Sequence, residues 1–181
     1  AAVLGHIAGE GLVQRIRASH GALPPVDMAS AGMVRAQSEG YLERSEGMKW
    51  QQLEDETRQT VTDYVGVRRN DKGLRLALET LTALAKQETR LKADDLHGVM
   101  RIHESQNIRL NAEIMATASL ARKETRTGSS HHRLDYPETD DQNWRKFVIV
   151  ERGKDGPAVR TLSTDRPLAD AFARNAEAAT I

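Results

Sequence analysis

The side chains best equipped for chemistry crowd into residues 122–144. Arg122, Lys123, Arg126 and Arg133 concentrate positive charge just ahead of Asp135, Glu138, Asp140 and Asp141. An arginine can grip a carboxylate through two parallel hydrogen bonds. This order of charges therefore suits a network of ion pairs that anchors a loop, or a seat for an anionic substrate. A solvated charged face is the plainer reading of the same residues. No general acid or redox group stands beside the run. His131-His132 lies inside it and suggests a metal site, with four carboxylates close by in sequence. Neighbouring residues of an extended segment face opposite ways, however, and no H-x-x-H or H-x-x-x-H spacing puts two histidines on one helical face. The pair is expected to be hydrogen-bonding or surface histidines. His103-Glu104 begins like the zinc motif H-E-x-x-H, but Asn107 stands where the second ligand is needed. His103 is expected to be a bundle histidine satisfied by a neighbour.

Phosphate chemistry fares no better. The chain has neither G-x-G-x-x-G nor a P-loop, and Gly9-Glu10-Gly11 lies in a helical pattern with Gln14 in place of the third glycine. No cysteine is present, which excludes disulfides, iron–sulfur ligation and thiol catalysis by this chain. The 26 basic and 26 acidic side chains cancel, so no overall charge draws it to nucleic acid or an anionic membrane. No apolar run approaches the roughly 18 residues that span a bilayer, and the opening residues show no signal-peptide pattern.

The elements that must position these residues are mostly helices. At 181 residues the chain suits one domain with appendages, and its 4% aromatic content among abundant Ala, Leu, Arg, Glu and Gln is a helical composition. Val3, Leu4, Ile7, Leu12, Val13 and Ile16 recur at helical spacing beside a smooth strip of Ala1, Gly5, Ala8 and Gly9. This opening reads as a helix cut from a larger body. A loop follows at 21–27 around Pro24-Pro25, then a short helix over about 30–45, weakened by Gly32 and Gly40. A firmer pattern begins at Lys49, with Trp50, Leu53, Thr57, Val61 and Tyr64/Val65 on one face and Gly66 at its end. Asn70 and Asp71 offer N-caps to a helix bearing Leu74, Leu76, Ala77, Leu78, Leu81, Leu84 and Ala85. After Asp94-Asp95 a long helix runs to about Lys123. Its expected inner face is Leu96, Val99, Met100, His103, Asn107, Leu110, Ile114, Ala118 and Ala121. The turn at 127–130 and Tyr136-Pro137 break the helical character. Phe147-Val148-Ile149-Val150 and Val159-Arg160-Thr161-Leu162 have strand composition around the turn residues 153–157, and Ala169 to Ala179 suits a last helix. The predicted fold class is mainly α: an antiparallel three- to four-helix bundle, an extended motif loop and a small β-hairpin.

At the motif loop the sequence meets a family. Arg122-Lys123-Glu124-Thr125-Arg126, then Gly128, then His131-His132-Arg133-Leu134-Asp135-Tyr136-Pro137-Glu138-Thr139-Asp140-Asp141-Gln142-Asn143-Trp144, resembles the C-terminal region of FAD-dependent fumarate reductase and succinate dehydrogenase flavoproteins. L-Aspartate oxidases and adenylylsulfate-reductase-like flavoproteins are relatives. Tyr64-Val65-Gly66-Val67-Arg68-Arg69 and the long helix look like that family's helical domain, and Gly5-His6-Ile7-Ala8-Gly9-Glu10 looks like the end of its FAD domain's final helix. About two extra residues lie between Arg126 and His131, residues 20–48 match nothing in the family pattern, and the tail from Asp165 is unlike the family's ends.

The resemblance implies a division into the end of an FAD-domain helix (1–20), a linker and short helix (21–48), a helical bundle (49–123), a motif loop plus hairpin (124–163) and a tail (164–181). It implies FAD in the full-length protein and none bound by this chain. The family's glycine-rich FAD site, capping domain and substrate-binding residues lie upstream of this region, so no catalytic, cofactor-binding or metal-binding residue carries over. Implied partners are the protein's own FAD-binding and capping domains and, in some members, an iron–sulfur electron-transfer subunit, with no nucleic acid and no membrane insertion. The implied location is cytoplasmic, peripheral to a membrane through a partner subunit. Glu124, Arg126, Arg133 and Asp135 are expected to be structural, holding the turn between the long helix and the hairpin. The alternatives are the same domain in an L-aspartate oxidase or adenylylsulfate-reductase-like flavoprotein, or a non-enzymatic helical interaction module.

Overall fold

A computed structural model describes residues 2–18, 25, 27–128, 130–154 and 156–164. The chain divides into two units, Ala1–Glu39 and Gly40–Ile181. The first holds α1 (Ala2–Ala18) and most of α2 (Met28–Glu43). Val3, Leu4, Ile7, Leu12, Val13 and Ile16 of α1 are all exposed. The start of α2 is capped by Asp27, whose carboxylate accepts from the Ala29 and Ser30 N–H groups at 3.1 and 3.2 Å. Gly32 and Gly40 do not interrupt this helix. The expected last helix at Ala169 to Ala179 lies outside the described residues.

The second unit is built on three helices packed against one another: α3 (Trp50–Thr60), α4 (Asp71–Gln87) and α5 (Leu96–Ala121). Leu53, Leu74, Leu81, Leu84, Leu91 and Ile102 are essentially solvent-free at its centre. Each such side chain contributes about 2 kcal/mol through burial. Thr57 and Thr60 near the end of α3, and Thr62 just beyond it, have hydroxyls that donate to the carbonyls of Leu53, Glu56 and Arg58 four residues back. Such back-bonding competes with the regular ladder. Here it accompanies a widening into a π-helical turn, Val61–Val65, that stops at Gly66. Asn70 and Asp95 cap α4 and α5, each accepting from the backbone N–H three residues on, at 2.8 and 2.7 Å.

The end of α2 is tied to the α4–α5 connection. The Ala93 N–H donates to the Tyr41 carbonyl at 2.8 Å, and Met48 and Leu91 form a parallel bridge. The backbones approach so closely that a Cβ on Gly47 would lie 2.4 Å from the Arg90 carbonyl oxygen, so only glycine fits there.

The long helix corrects one expectation. Its face toward α3 and α4 is Gly98, Val99, Ile102, Ser105, Arg109, Ala112, Ala116 and Ser119, whereas Leu96, Met100 and Leu110 are exposed. Small residues let the helices approach, and steps of four and three keep them on one seam. The other apolar side of α5 is occupied too. A hairpin of β3 (Lys146–Gly153) and β4 (Gly156–Ser163), paired antiparallel with Phe147 opposite Leu162, lies along it. Leu110 and Ile114 face Val150 and Pro157 across a cleft there. Two short strands, β1 (Arg68–Arg69) and β2 (His132–Arg133), pair in parallel and fasten the motif loop beside the start of α4. A single turn, α6 (Asp141–Trp144), capped by Asp140, leads into the hairpin.

Candidate functional site

The motif loop is organised by two buried charges. Glu124 has no exposed surface. Its carboxylate accepts from Arg126 Nε and Nη2 at 2.7 and 2.9 Å, from Arg122 Nη1 at 2.5 Å and from the Asp140 N–H at 2.9 Å. Burial alone would raise its pKa, but these donors outweigh it and hold the carboxyl below its ordinary range. Arg126 Nη2 also donates to Asp141 at 2.6 Å, and its two carboxylate partners raise its pKa further. Arg122 reaches the carbonyls of Trp144 at 3.0 Å and Lys146 at 2.7 Å and lies over the Trp144 ring. Glu124 thereby joins the end of α5, the start of α6 and the start of the hairpin.

Arg133 is the second organiser and is fully buried. Its Nε and Nη2 form a fork on Asp135, both at 2.8 Å. Its Nη1 donates to the carbonyls of Ser119 at 2.7 Å and Arg122 at 2.9 Å, which terminate α5. A cation there satisfies orphan carbonyls and meets the negative end of the helix. Asp135 Oδ2, which accepts from Arg133 Nη2, also accepts from the Asp71 N–H at 2.9 Å, at the first turn of α4. One carboxylate therefore neutralises Arg133 and fills a vacant donor of another helix. Its pKa is held down to about 2, chiefly by the Arg133 hydrogen bonds.

Between these organisers the chain turns on Thr127 and Gly128, both at positive φ, and the Arg126 N–H donates to the His131 carbonyl at 3.0 Å. Thr125 Oγ1 donates to the Tyr136 carbonyl at 2.9 Å and accepts from the Arg133 N–H at 3.0 Å. His131 and His132 take different places. His132 belongs to the parallel pairing with Arg68, while the His131 ring is half-buried. Burial lowers the His131 pKa, and the charge of Arg69 adds to that effect. His103 meets the Tyr41 ring edge-on at 5.8 Å. Among the described residues no three His, Asp or Glu side chains converge as a metal-ligand set.

The network thus brings together Arg122, Glu124, Arg126 and Asp141, and separately Arg133 and Asp135. Lys123, also in the sequence cluster, contributes none of the hydrogen bonds described at either carboxylate. Arg69 was legible only as part of the helical-domain resemblance. It is 8% exposed and donates to Ser119 Oγ at 2.5 Å and to the Ser130 carbonyl at 2.8 Å. Its place as the last residue before the Asn70 cap was the one sequence signal available. A cleft of about 350 Å³ opens beside this region, lined by Ala118, Ser119, Arg122, Arg126, Thr127, His131, Phe147 and Val148.

A flavin dinucleotide needs a strand, a glycine turn and a helix N-terminus for its pyrophosphate. The described residues do not supply that unit: the eight-residue strands form an antiparallel hairpin, and the glycines at positive φ, Gly128 and Gly156, precede no helix. The residues present do not fit FAD, and no hydride-transfer step is derived from them.

Comparison with known proteins supplies what the isolated geometry does not. Residues 54–173 match the family described as the fumarate reductase flavoprotein C-terminus. The fumarate reductase flavoprotein subunit of Haemophilus influenzae is 26% identical over 159 residues, covering 85% of this chain and 26% of that protein. An uncharacterised FAD-dependent oxidoreductase of Methanocaldococcus jannaschii is 30% identical over 102 residues, covering 56% of this chain and 18% of its own length. Among solved structures, adenylylsulfate reductase of Archaeoglobus fulgidus superposes with a TM-score of 0.74 at 25% identity, covering 82% of this chain and 26% of that one. Quinol fumarate reductase of Escherichia coli shares the fold with a TM-score of 0.76 at 22% identity, over 91% of this chain and 29% of that one. The chain therefore spans no more than about a quarter of these curated relatives. With the family match running from the middle of α3 through the motif loop and the hairpin, the chain belongs to the fumarate reductase flavoprotein C-terminal family.

Proposed function

We propose that this chain serves as the helical C-terminal domain of an FAD-dependent oxidoreductase of the fumarate reductase/succinate dehydrogenase type. It packs on the FAD-binding and capping domains of the full-length protein and is inert alone. The 49–123 bundle carries the 124–163 loop and hairpin, and α1 belongs with the flavin-binding body. The observation that carries this reading is the internal satisfaction of the motif. Glu124, Arg126, Arg133 and Asp135 spend their hydrogen bonds on one another and on helix ends. We assign them a structural role and no catalytic, cofactor-binding or metal-binding residue to this chain. An iron–sulfur electron-transfer subunit is the partner this type of flavoprotein calls for. The location proposed is cytoplasmic and peripheral to a membrane, and no helix among the described residues is long and apolar enough to cross one.

The test is made on the full-length protein. It should show a flavin absorption spectrum and turn over fumarate or succinate. Turnover of L-aspartate or adenylylsulfate instead would move the domain to a related enzyme, and a flavin-free full-length protein would make it an interaction module.

A further inference from the structure

His131 is seated where its protonated form is not accommodated. The ring is half-buried, and Nε2 is enclosed without a hydrogen-bond partner. The neutral ring can turn its single N–H to the Arg122 backbone, leaving only a lone pair at Nε2. An imidazolium has a donor on both nitrogens, so protonation would add a buried charge and a buried donor with no acceptor. The elements packed on the ring bring positive charge: Arg69 from β1, Arg133 from β2 and Arg122 from the end of α5. Arg126 shares the wall of the adjoining cleft, where β3 presents Phe147 and Val148. The carboxylates of the loop are engaged with these arginines: Glu124 with Arg122 and Arg126, Asp141 with Arg126, and Asp135 with Arg133.

The same residue stands at a junction of the backbone. Its carbonyl accepts from the Arg126 N–H at 3.0 Å, closing a turn in which Thr127 has φ 62°. A β-branched residue takes that conformation only under constraint. On one side of His131 the Ser130 carbonyl accepts from Arg69 at 2.8 Å. On the other, the His132 N–H donates to the Val67 carbonyl at 3.1 Å, where β2 meets β1. We propose that His131 is an acid-released clasp. With a neutral ring it holds β2 against β1 and the end of α5. A proton at Nε2 frees the ring from this seat and loosens the β1–β2 pairing at its His132 end, while the bundle stays folded. The clasp belongs to the fold of this chain and is independent of the flavoprotein assignment.

Protonation and release are linked with a definite sign. Burial, and then the charge of Arg69, hold the pKa of the seated ring below the ordinary 6.5. A released ring regains that value and binds a proton more tightly than the seated one. Release is therefore favoured as pH falls below about 6.5 and suppressed above it. The opening equilibrium should rise close to tenfold per pH unit while the seated ring stays neutral. The Asp135 carboxyl titrates at about 2, so its fork with Arg133 still holds in this range.

Amide hydrogen exchange of the full-length protein, read by mass spectrometry between about pH 7.5 and about pH 5, is the test. Each rate is divided by the intrinsic amide rate, which itself changes with pH. Peptides covering 130–133 carry the Ser130 and His132 amides of the junction. Their protection should fall close to tenfold per pH unit below about pH 6.5. Peptides within Val99–Ala116 should keep theirs. His131→Gln, which cannot take the proton, should make protection of 130–133 independent of pH, whatever its level. Protection of 130–133 that ignores pH in the wild type overturns the proposal. A pH slope that survives His131→Gln overturns it too, because the titration would then belong to another group such as His132. Parallel loss of protection in Val99–Ala116 would mean global acid unfolding and overturns it as well.

Discussion

At the scale of single residues, the motif loop is held by carboxylates that each serve several donors. Removing one donor from a buried carboxylate leaves charge uncompensated, which is far more damaging than losing a surface ion pair. Arg126→Ala in the full-length protein is expected to destabilise by about 3 kcal/mol. It should lower the melting temperature more than it lowers turnover per folded molecule. Unchanged stability with abolished activity would instead place Arg126 at the active site. Asp135 carries a pH signature. Its carboxyl titrates near about 2 when folded, below the ordinary 3.8, so the folded state binds protons more weakly than the unfolded chain. Its contribution is complete above the ordinary value and is lost as pH falls from about 4 towards 2. Asp135→Asn should lower stability at neutral pH and flatten the acid branch of a denaturation-against-pH curve. An acid branch as steep as the wild type would remove Asp135 from the network. The sequence showed which residues belong to this loop because their types and order are unusual. It did not show the pairing, since Arg122, Arg126 and Arg133 are equally plausible partners for any of the nearby carboxylates until the chain is folded.

At the scale of elements, α5 is the informative case. Its helical identity was legible from unbroken spacing and the Asp95 cap, but its inward face was not. The helix is covered on two sides, by α3 and α4 and by the hairpin, so apolar residues occur nearly all round it. The larger ones, Leu110 and Ile114, go to the looser hairpin side. The closely packed side is built from Gly98, Ser105, Ala112, Ala116 and Ser119, which register weakly as hydrophobic. Ile102→Ala, at a fully buried position, should destabilise by about 3 kcal/mol through lost burial and a cavity. Met100→Ala, two residues earlier and in the face first expected to point inward, should change stability by no more than about 0.5 kcal/mol. Equal losses in chemical denaturation would contradict this assignment.

At the scale of the whole molecule, the two units should differ in stability. The 17-residue α1 exposes all its large apolar side chains, and an isolated helix of that length is marginal in water. Amides of 2–18 are expected to exchange within minutes in the isolated chain, whereas Val99–Ala116 should exchange only on global unfolding. Strong protection through α1 in a monomer would contradict this. Titration calorimetry of the chain with FAD, fumarate and succinate should give no micromolar binding, because a flavin needs a phosphate-binding turn and a dicarboxylate needs two free cations. Micromolar binding of any of the three would reveal a site in this chain that the motif network does not account for.

What the sequence determined by itself was local or typological: the helices and their caps, the break at Tyr136-Pro137, the hairpin, and a motif specific enough to indicate its family. Those signals depend on residues within a few positions of one another, where spacing and side-chain type are sufficient. Tertiary structure decided the parallel pairing of β1 with β2, the buried fork of Arg133 on Asp135 between two helix ends, the inner face of α5 and the burial of Arg69. Each joins residues far apart in the chain or depends on which side of a helix loses water. Burial and charge compensation are properties of that assembled environment, and no periodicity encodes them.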